Sequence, residues 1–174
     1  MTETRDWAFV QREPCEACGF DPTIIATDAI GDSIRAVAAD WVAFLGATDD
    51  GDLRRPPSAE VWSALSYACH TRDVFERFRG RIELTLSQDS PDVGWWNHEA
   101  AAADKRYDAQ RVDEVAAALA ANADAMADVL ATVAPGEWDR PAVRRGRAFT
   151  VAGLGRFALH EGRHHLHDVR TIVG

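Results

Sequence analysis

The sequence predicts an all-α fold, a four-helix bundle with long loops between its helices. Alanine-rich stretches such as EAAAADKRYD and VAAALAANADAMADVLATV are typical of helices. Strand signals are nearly absent, since no run of alternating β-branched residues occurs. Four segments of similar length carry apolar residues at helical spacing, which is typical of helices that bury one face in a bundle.

The first two long helices are separated by a loop rich in turn-forming residues. Apolar side chains recur at helical spacing from about Pro22 to Leu45. The segment GATDDGDLRRPPS interrupts this pattern, because its glycines and paired prolines favour turns. Ser58 is a predicted N-cap for the second helix, which extends to about Leu86.

The second half of the chain supplies a short helix and two long ones. Asn97 follows the loop SQDSPDVGWW and is a predicted cap for the short helix. The third long helix covers about Val112 to Val133, and the segment APGEWDRPAVRRGRAF after it is predicted to be irregular. Thr150 is a predicted cap for the fourth long helix, which continues almost to the last residue.

Length, charge and hydropathy limit the possible functions. The 174 residues, 47% of them hydrophobic, suffice for one domain with a full core, which we take as residues 1–174. A formal net charge of −9 disfavours nucleic-acid binding, which depends on cationic contacts to phosphate. No apolar run suggests a membrane span, and the start MTETRDWAFV lacks the pattern of a signal peptide. We therefore expect a cytoplasmic protein with reduced cysteines.

Four of the six histidines lie in the segment HEGRHHLH near the end of the chain. His160 and His164 are one helical turn apart, so their two imidazoles can chelate a divalent ion. The alternative is a polar helix surface that happens to be rich in histidine. The first five letters also match the H-E-x-x-H pattern of zinc peptidases, with Glu161 as the base. No third-ligand motif and no glutamate follow His164, which disfavours a peptidase.

A third ligand is available upstream. His70 lies in WSALSYACHTRDVF on the second helix, on a face with apolar neighbours, so it is predicted to point into the bundle. Alone, it would be interpreted as a hydrogen-bonded core histidine. Together with His160 and His164 on a facing helix, it completes a predicted three-histidine metal site whose fourth coordination position stays open.

The two histidine-bearing segments resemble a known family. VWSALSYACHTRDV, a tryptophan-led helix with one histidine, and ALHEGRHHLHDV are similar to the DinB-like superfamily. That superfamily includes the YfiT-like metal hydrolases and the mycothiol-dependent maleylpyruvate isomerase-like proteins. The resemblance covers the chain from about residue 20 to its end, so residues 1–20 form an N-terminal extension. The segments CEACGFD and WW…Y look like an actinobacterial branch.

The resemblance implies a four-helix bundle that binds a divalent metal through His70, His160 and His164. Zn²⁺ is the expected ion, although three imidazoles also accept Ni²⁺, Fe²⁺ or Mn²⁺. The implied activity is that of an S-transferase, in which the metal activates mycothiol or another low-molecular-weight thiol toward a small electrophile. A metal-dependent hydrolase and a non-catalytic, metal-stabilised binding module are the alternatives. A homodimer is the expected assembly.

Three arginines flank the histidines on the last predicted helix. Arg156, Arg163 and Arg170 recur every seven residues and lie beside the stripe formed by His160 and His164. We predict that Arg156 and Arg163 attract the carboxylate of a cysteine-containing cofactor. The alternative is a solvated helix face.

Cys15 and Cys18 precede the first predicted helix in a C-x-x-C-G pattern, which is half of a zinc knuckle. A structural zinc site needs four ligands, and no second C-x-x-C occurs in the chain. A histidine such as His98, His165 or His167 could complete such a site, but no spacing links one of them to the cysteines. The sequence therefore leaves three roles open for the cysteine pair: a second metal site, a redox pair or an ordered turn.

Overall fold

Four long helices form the body of the protein. The computed structural model describes residues 7–173, so the first six residues of the predicted extension and Gly174 lie outside the described residues. The α-helices within that range are α1 (Ile30–Ala47), α2 (Asp50–Arg54), α3 (Ala64–Ser87), α4 (His98–Asp104), α5 (Val112–Ala131) and α6 (Val151–Val173). No helix between residues 7 and 173 is both long and apolar enough to cross a membrane.

The long helices pack as a four-helix bundle, which confirms the predicted fold class. Helices α1 and α3 each contact both α5 and α6, so the order around the bundle is α1, α5, α3, α6. The apolar stripes that the sequence predicts face inward, and the largest fully buried side chains of the long helices are Ile30, Ile34, Trp41, Leu65, Phe75, Ile82, Leu119 and Met126.

Helix α6 packs closely against α1 and α3 at Gly162. A Cβ atom at this position would lie 3.0 Å from Cζ of Phe75 and 3.3 Å from Cγ1 of Val37. Trp41 donates a buried hydrogen bond from Nε1 to the carbonyl oxygen of Gly162, at 2.9 Å. The absent side chain thus brings the histidine-rich segment of α6 directly against α1 and α3.

The first two long helices begin later than predicted. Two 3₁₀ turns, Pro22–Ile24 and Thr27–Ala29, occupy the start of the first predicted helix, and α1 itself begins at Ile30. The cap of α3 is Ser63, whose side chain accepts from the backbone amide of Ser66, and the prediction of Ser58 as this cap is wrong. Ser58 instead bonds locally to Glu60 in the turn before α3.

The segment between α5 and α6 forms a β-hairpin, so its prediction as irregular is wrong. Strands β1 (Pro141–Arg144) and β2 (Arg147–Thr150) pair antiparallel around a turn at Arg145 and Gly146, whose φ angles are 52° and 72°. Positive φ at both central residues is the geometry of a two-residue hairpin turn. Phe149 of β2 is buried against the bundle. Strands of four residues carry too little alternation to be recognised from sequence.

The predicted helix caps in the second half of the chain are present. Asn97 accepts from the backbone amide of Ala100 at the start of α4. Thr150 accepts from the backbone amide of Gly153, at 3.0 Å, at the start of α6. The cap at Thr150 fixes where α6 begins, and thereby which of its side chains face α3.

The segment that precedes α1 folds back against α6. A 3₁₀ helix, Trp7–Gln11, packs on α6, and the side chain of Gln11 donates to the carbonyl oxygen of Ala148. Cys15 and Phe20 then pair across a tight loop, in which the amide of Cys15 donates to the carbonyl of Phe20 at 2.8 Å. This arrangement carries the two cysteines to the histidine-rich part of α6.

Candidate metal centres

Two groups of potential metal ligands lie side by side on α6. The side chains of Glu161 and His165 form one stripe along the helix, and those of His160 and His164 form the next, about 100° around the axis. The first stripe meets α3, whereas the second meets the segment before α1. Each stripe presents two ligands one turn apart, so each can chelate an ion if its neighbour supplies the remaining ligands.

The first group, which we call the His70 cluster, consists of His70, Glu161 and His165. One ligand atom from each residue lies within 4.8 Å of those of the other two. Oε2 of Glu161 is 3.4 Å from Nε2 of His70 and 3.5 Å from Nε2 of His165. Two imidazoles and one carboxylate form a donor set that fits a divalent transition-metal ion such as Zn²⁺.

The electrostatics of the His70 cluster favour a cation. Burial lowers the pKa of His70, which keeps its imidazole neutral and able to bind a metal. Burial alone would raise the pKa of Glu161, but interactions with His160, His165 and His70 hold it well below its usual range. Burial also opposes the charge on His165, yet Asp168 and Glu161 raise its pKa to about 9. Glu161 is therefore a half-buried carboxylate that attracts positive charge.

Aromatic side chains surround the His70 cluster. Trp96 stacks on the His70 ring, with the planes 6° apart and the centroids at 5.2 Å. Trp62 and His98 lie 5.4 and 5.7 Å from the same ring, and Tyr67 lies 5.0 Å from that of His165. Behind Trp96, a groove of about 420 Å³ is lined by charged side chains, among them Asp73, Glu76, Arg77 and Lys105.

Asp73, one turn after His70 on α3, anchors the wall of this groove. Its buried carboxylate accepts from Nε of Arg72 at 2.8 Å, Nζ of Lys105 at 2.7 Å and the hydroxyl of Tyr107 at 2.6 Å. Burial alone would raise the pKa of Asp73, but these three donors lower it. Asp73 thus connects α3 to the loop after α4. The three groups that donate to its carboxylate belong to Arg72, Lys105 and Tyr107, and none of these three donors is His70.

The second group, which we call the cysteine cluster, consists of Cys15, Cys18, His160 and His164. One ligand atom from each of the four residues lies within 4.8 Å of the others. Sγ of Cys15 is 3.7 Å from Nδ1 of His164, and the two histidine rings are 4.9 Å apart. The C-x-x-C pair and two histidines one turn apart make up the four-ligand set that structural zinc sites use.

Thiols and imidazoles in the cysteine cluster perturb one another. Burial would raise the pKa of Cys15, but His160 and the backbone amides of Cys18 and Ala17 lower it. Burial lowers the pKa of His160, but Cys18 and Glu161 outweigh this effect and raise it to about 10. The pKa of His164 is lowered to about 4, mainly by burial. The lowered pKa of Cys15 favours its thiolate form, which metal binding requires.

A family model and a solved structure both match most of this chain. The family model described as the DinB superfamily matches residues 33–169, which is most of the chain. The chain belongs to the DinB superfamily. A solved structure similar to this DinB-superfamily protein is described as "YfiT from Bacillus subtilis is a probable metal-dependent hydrolase with an unusual four-helix bundle topology". That structure has a TM-score of 0.77 and 17% sequence identity, over 84% of this chain and 85% of that chain, which establishes the shared fold. No curated protein sequence matches this chain.

The bundle of this DinB-superfamily protein divides the three predicted metal ligands between the two clusters. His70 lies with Glu161 and His165, whereas His160 and His164 lie with the cysteines. The geometry therefore favours a ligand set around His70 that differs from the predicted one. Both pairs on α6 satisfy the four-residue spacing, so spacing alone could not decide between them.

The two arginines predicted to bind a cofactor contact the segment before α1. Arg156 donates to the carbonyl oxygen of Ile25 at 3.0 Å. The guanidinium of Arg163 lies over the ring of Phe20, 5.9 Å from its centroid. Both residues thus lie on the side of α6 that carries the cysteine cluster, and their role in cofactor binding stays a prediction.

Proposed function

We propose that this DinB-superfamily protein is a metal-dependent hydrolase whose ion is held by His70, Glu161 and His165. The observation that carries this proposal is the convergence of two imidazoles and one carboxylate at the aromatic mouth between α3 and α6. Three protein ligands leave a coordination position open for solvent or substrate, which is the pattern of catalytic rather than structural zinc sites. The ion supplies Lewis-acid activation of a nucleophile at neutral pH.

The ligand set favours water over a thiol as that nucleophile. Two histidines and one glutamate hold the zinc of hydrolytic enzymes such as thermolysin. Glu161 is a half-buried anion between His70 and His165, and it orients both imidazoles by contacts from a single oxygen, Oε2. The description of the Bacillus subtilis structure as a probable metal-dependent hydrolase supports the same reaction class.

The mouth of the cluster provides the groups that a substrate would meet. His98 has a side chain 28% exposed and a ring 5.7 Å from that of His70, so it is placed to exchange protons between the site and solvent. Trp62 and Trp96 offer flat apolar faces for an organic substrate. Arg77, whose guanidinium lies 4.9 Å from the Trp96 centroid, adds a positive charge for an anionic group.

A thiol-dependent S-transferase, the activity that the sequence resemblance implies, is the second candidate. The same open position would accept the thiolate of mycothiol or a related compound, and binding to the ion would lower the pKa of that thiol. The aromatic mouth formed by Trp62 and Trp96 favours this candidate too, because it suits an organic electrophile. The two reactions differ in their requirement for an added thiol.

Turnover with and without a thiol tests the proposal. Zinc-loaded protein, purified without an affinity tag, would be assayed against a panel of ester, amide and phosphoester substrates, and against an aryl halide with and without mycothiol. Hydrolysis that needs no thiol supports the hydrolase, whereas turnover of the aryl halide only with thiol replaces it by the transferase. If neither reaction occurs although zinc binds, the site is that of a binding module and the proposed function is wrong.

A matched pair of variants on α6 controls this experiment. His165→Ala should abolish turnover and remove the ion from the His70 cluster. His167→Ala, an exposed residue outside both clusters, should leave turnover and metal content unchanged. Equal activity in the two variants would exclude His165 from the site.

A further inference from the structure

The loop that carries Cys15 and Cys18 has the backbone geometry of a metal-binding knuckle. The amide of Gly19 donates to the carbonyl of Cys15 at 2.9 Å, and the amide of Cys15 donates to the carbonyl of Phe20 at 2.8 Å. Gly19 has a φ of 71°, a conformation that other residues rarely adopt. The turn that follows Cys18 is thus built to bring the two thiols together on one side of the loop.

The spacing between thiol and imidazole in the cysteine cluster matches tetrahedral zinc coordination. Bond lengths of about 2.3 Å to sulfur and about 2.1 Å to nitrogen place the two ligand atoms about 3.6 Å apart at the corners of a tetrahedron. Sγ of Cys15 and Nδ1 of His164 are 3.7 Å apart. All four ligand atoms lie within 4.8 Å of one another, so small rotamer adjustments suffice to centre an ion among them.

His160 is a buried polar side chain with no hydrogen bond to satisfy it. The residue is 0% exposed, and neither ring nitrogen has a hydrogen-bond partner. The nearest carboxylate oxygen, Oε1 of Glu161, is 3.7 Å from Nδ1, which is too far for a hydrogen bond of ordinary strength. Burying an unsatisfied polar group is costly, and a metal ion would provide the missing interaction.

Aromatic rings cover part of the cysteine cluster. Trp7 lies 5.3 Å from the ring of His160 and 5.0 Å from that of His164, and Phe20 lies 5.4 Å from His160. Cys15 and His160 are buried, whereas Cys18 and His164 are half-buried. Four protein ligands would fill the coordination sphere of a zinc ion and leave no position for a substrate, in contrast to the three-ligand His70 cluster.

We propose that Cys15, Cys18, His160 and His164 form a closed structural Zn²⁺ site that fastens the segment before α1 onto α6. Two thiolates balance the charge of the ion, so the buried site is neutral overall. The site is separate from the centre proposed for catalysis, and it accounts for the otherwise unexplained C-x-x-C pair. It also gives a reason why this segment, which is short and contains few regular elements, packs stably against the bundle.

Cobalt substitution tests the site directly. Protein freed of metal by a chelator and reloaded with Co²⁺ should show a sulfur-to-cobalt charge-transfer band in the near ultraviolet and the visible absorption of tetrahedral cobalt. The double variant with Cys15→Ser and Cys18→Ser should lose the band and one equivalent of metal. Cys69→Ser, which removes the buried thiol of α3 outside both clusters, should retain both. A band that disappears in Cys69→Ser and persists in the double variant would overturn the proposal.

Alkylation of the native thiols gives a second readout that does not depend on how a variant folds. In zinc-loaded wild-type protein, Cys15 and Cys18 should resist a maleimide reagent, and a chelator should increase their rate of modification at least tenfold. Peptide mass mapping identifies which cysteines react. Rates that zinc leaves unchanged, or a Cys15–Cys18 disulfide that forms in air and persists in the presence of zinc, would show that the pair does not bind a structural ion.

Discussion

Nδ1 of His160 lies 3.7 Å from Oε1 of Glu161, the next residue along α6, so the two candidate metal centres are direct neighbours. The other carboxylate oxygen of Glu161, Oε2, faces His70. A six-residue stretch of α6, from His160 to His165, thus supplies two ligands to each cluster. The half-buried carboxylate between the clusters would offset part of the repulsion between two divalent ions bound there.

Variants of His70 and His160 should remove different ions. His70→Ala should lose the metal of the His70 cluster and keep the sulfur-ligated one, and His160→Ala should do the reverse, because the two residues lie in separate ligand groups. Elemental analysis combined with native mass spectrometry measures the metal content of each variant. If both substitutions remove the same single ion, the three-histidine site predicted from the sequence is the correct one.

Zinc should stabilise the protein mainly through the cysteine cluster. An ion that binds only the folded state at a thousand times its dissociation constant contributes about 4 kcal/mol to the free energy of unfolding. We expect the melting temperature to fall on chelation in the wild type, and to fall much less in the variant that lacks both Cys15 and Cys18. Differential scanning calorimetry with and without chelator makes the comparison, and an equal fall in the two proteins would contradict it.

Gly162→Ala should destabilise the protein although alanine favours helix. The new Cβ would lie 3.0 Å from Cζ of Phe75 and 3.3 Å from Cγ1 of Val37, both inside the core. Overpacking of this kind costs about 1–3 kcal/mol, more than the roughly 1 kcal/mol that alanine contributes to helix stability. Gly80→Ala on α3 is the matched control, because its Cβ meets nothing within 4 Å and should stabilise slightly. Urea denaturation measures both variants.

Asp73→Asn should lower stability at neutral pH by about 2–4 kcal/mol, since it leaves the donors Arg72, Lys105 and Tyr107 without their buried anion. The folded-state pKa of Asp73 lies below its ordinary value, so its contribution is present above the unfolded pKa of about 3.9. That contribution is lost as the pH falls from there through the folded-state pKa.

Denaturation at two pH values checks this dependence on Asp73. The difference in the free energy of unfolding between wild type and Asp73→Asn should be large at pH 7 and clearly smaller near pH 3. Asp40→Asn, on the exposed face of α1, is the control and should change little at either pH. A difference that stays constant across the range would show that Asp73 acts through packing rather than through its charge.

The sequence by itself determined the four long helices and α4, two of their caps and the part of the molecule that holds the candidate ligands, but it did not predict the short helix α2. These features are local, because helical spacing of apolar residues and the capping preferences of Asn97 and Thr150 act over one or two turns. The sequence also placed the candidate histidine ligands on the helices now seen as α3 and α6. It missed the hairpin after α5, whose four-residue strands depend on burial of Phe149 against the bundle rather than on their own pattern.

Only the tertiary structure decided which ligands belong together. Two residue pairs on α6 have the four-residue spacing that chelation requires, Glu161 with His165 and His160 with His164. Helical geometry alone therefore cannot distinguish between them. The choice depends on which stripe of α6 meets His70 and which meets Cys15, a residue 149 positions before His164 in the chain. Such contacts are set by the packing of whole helices and by the folding back of the segment before α1, and no short-range pattern in the sequence encodes them.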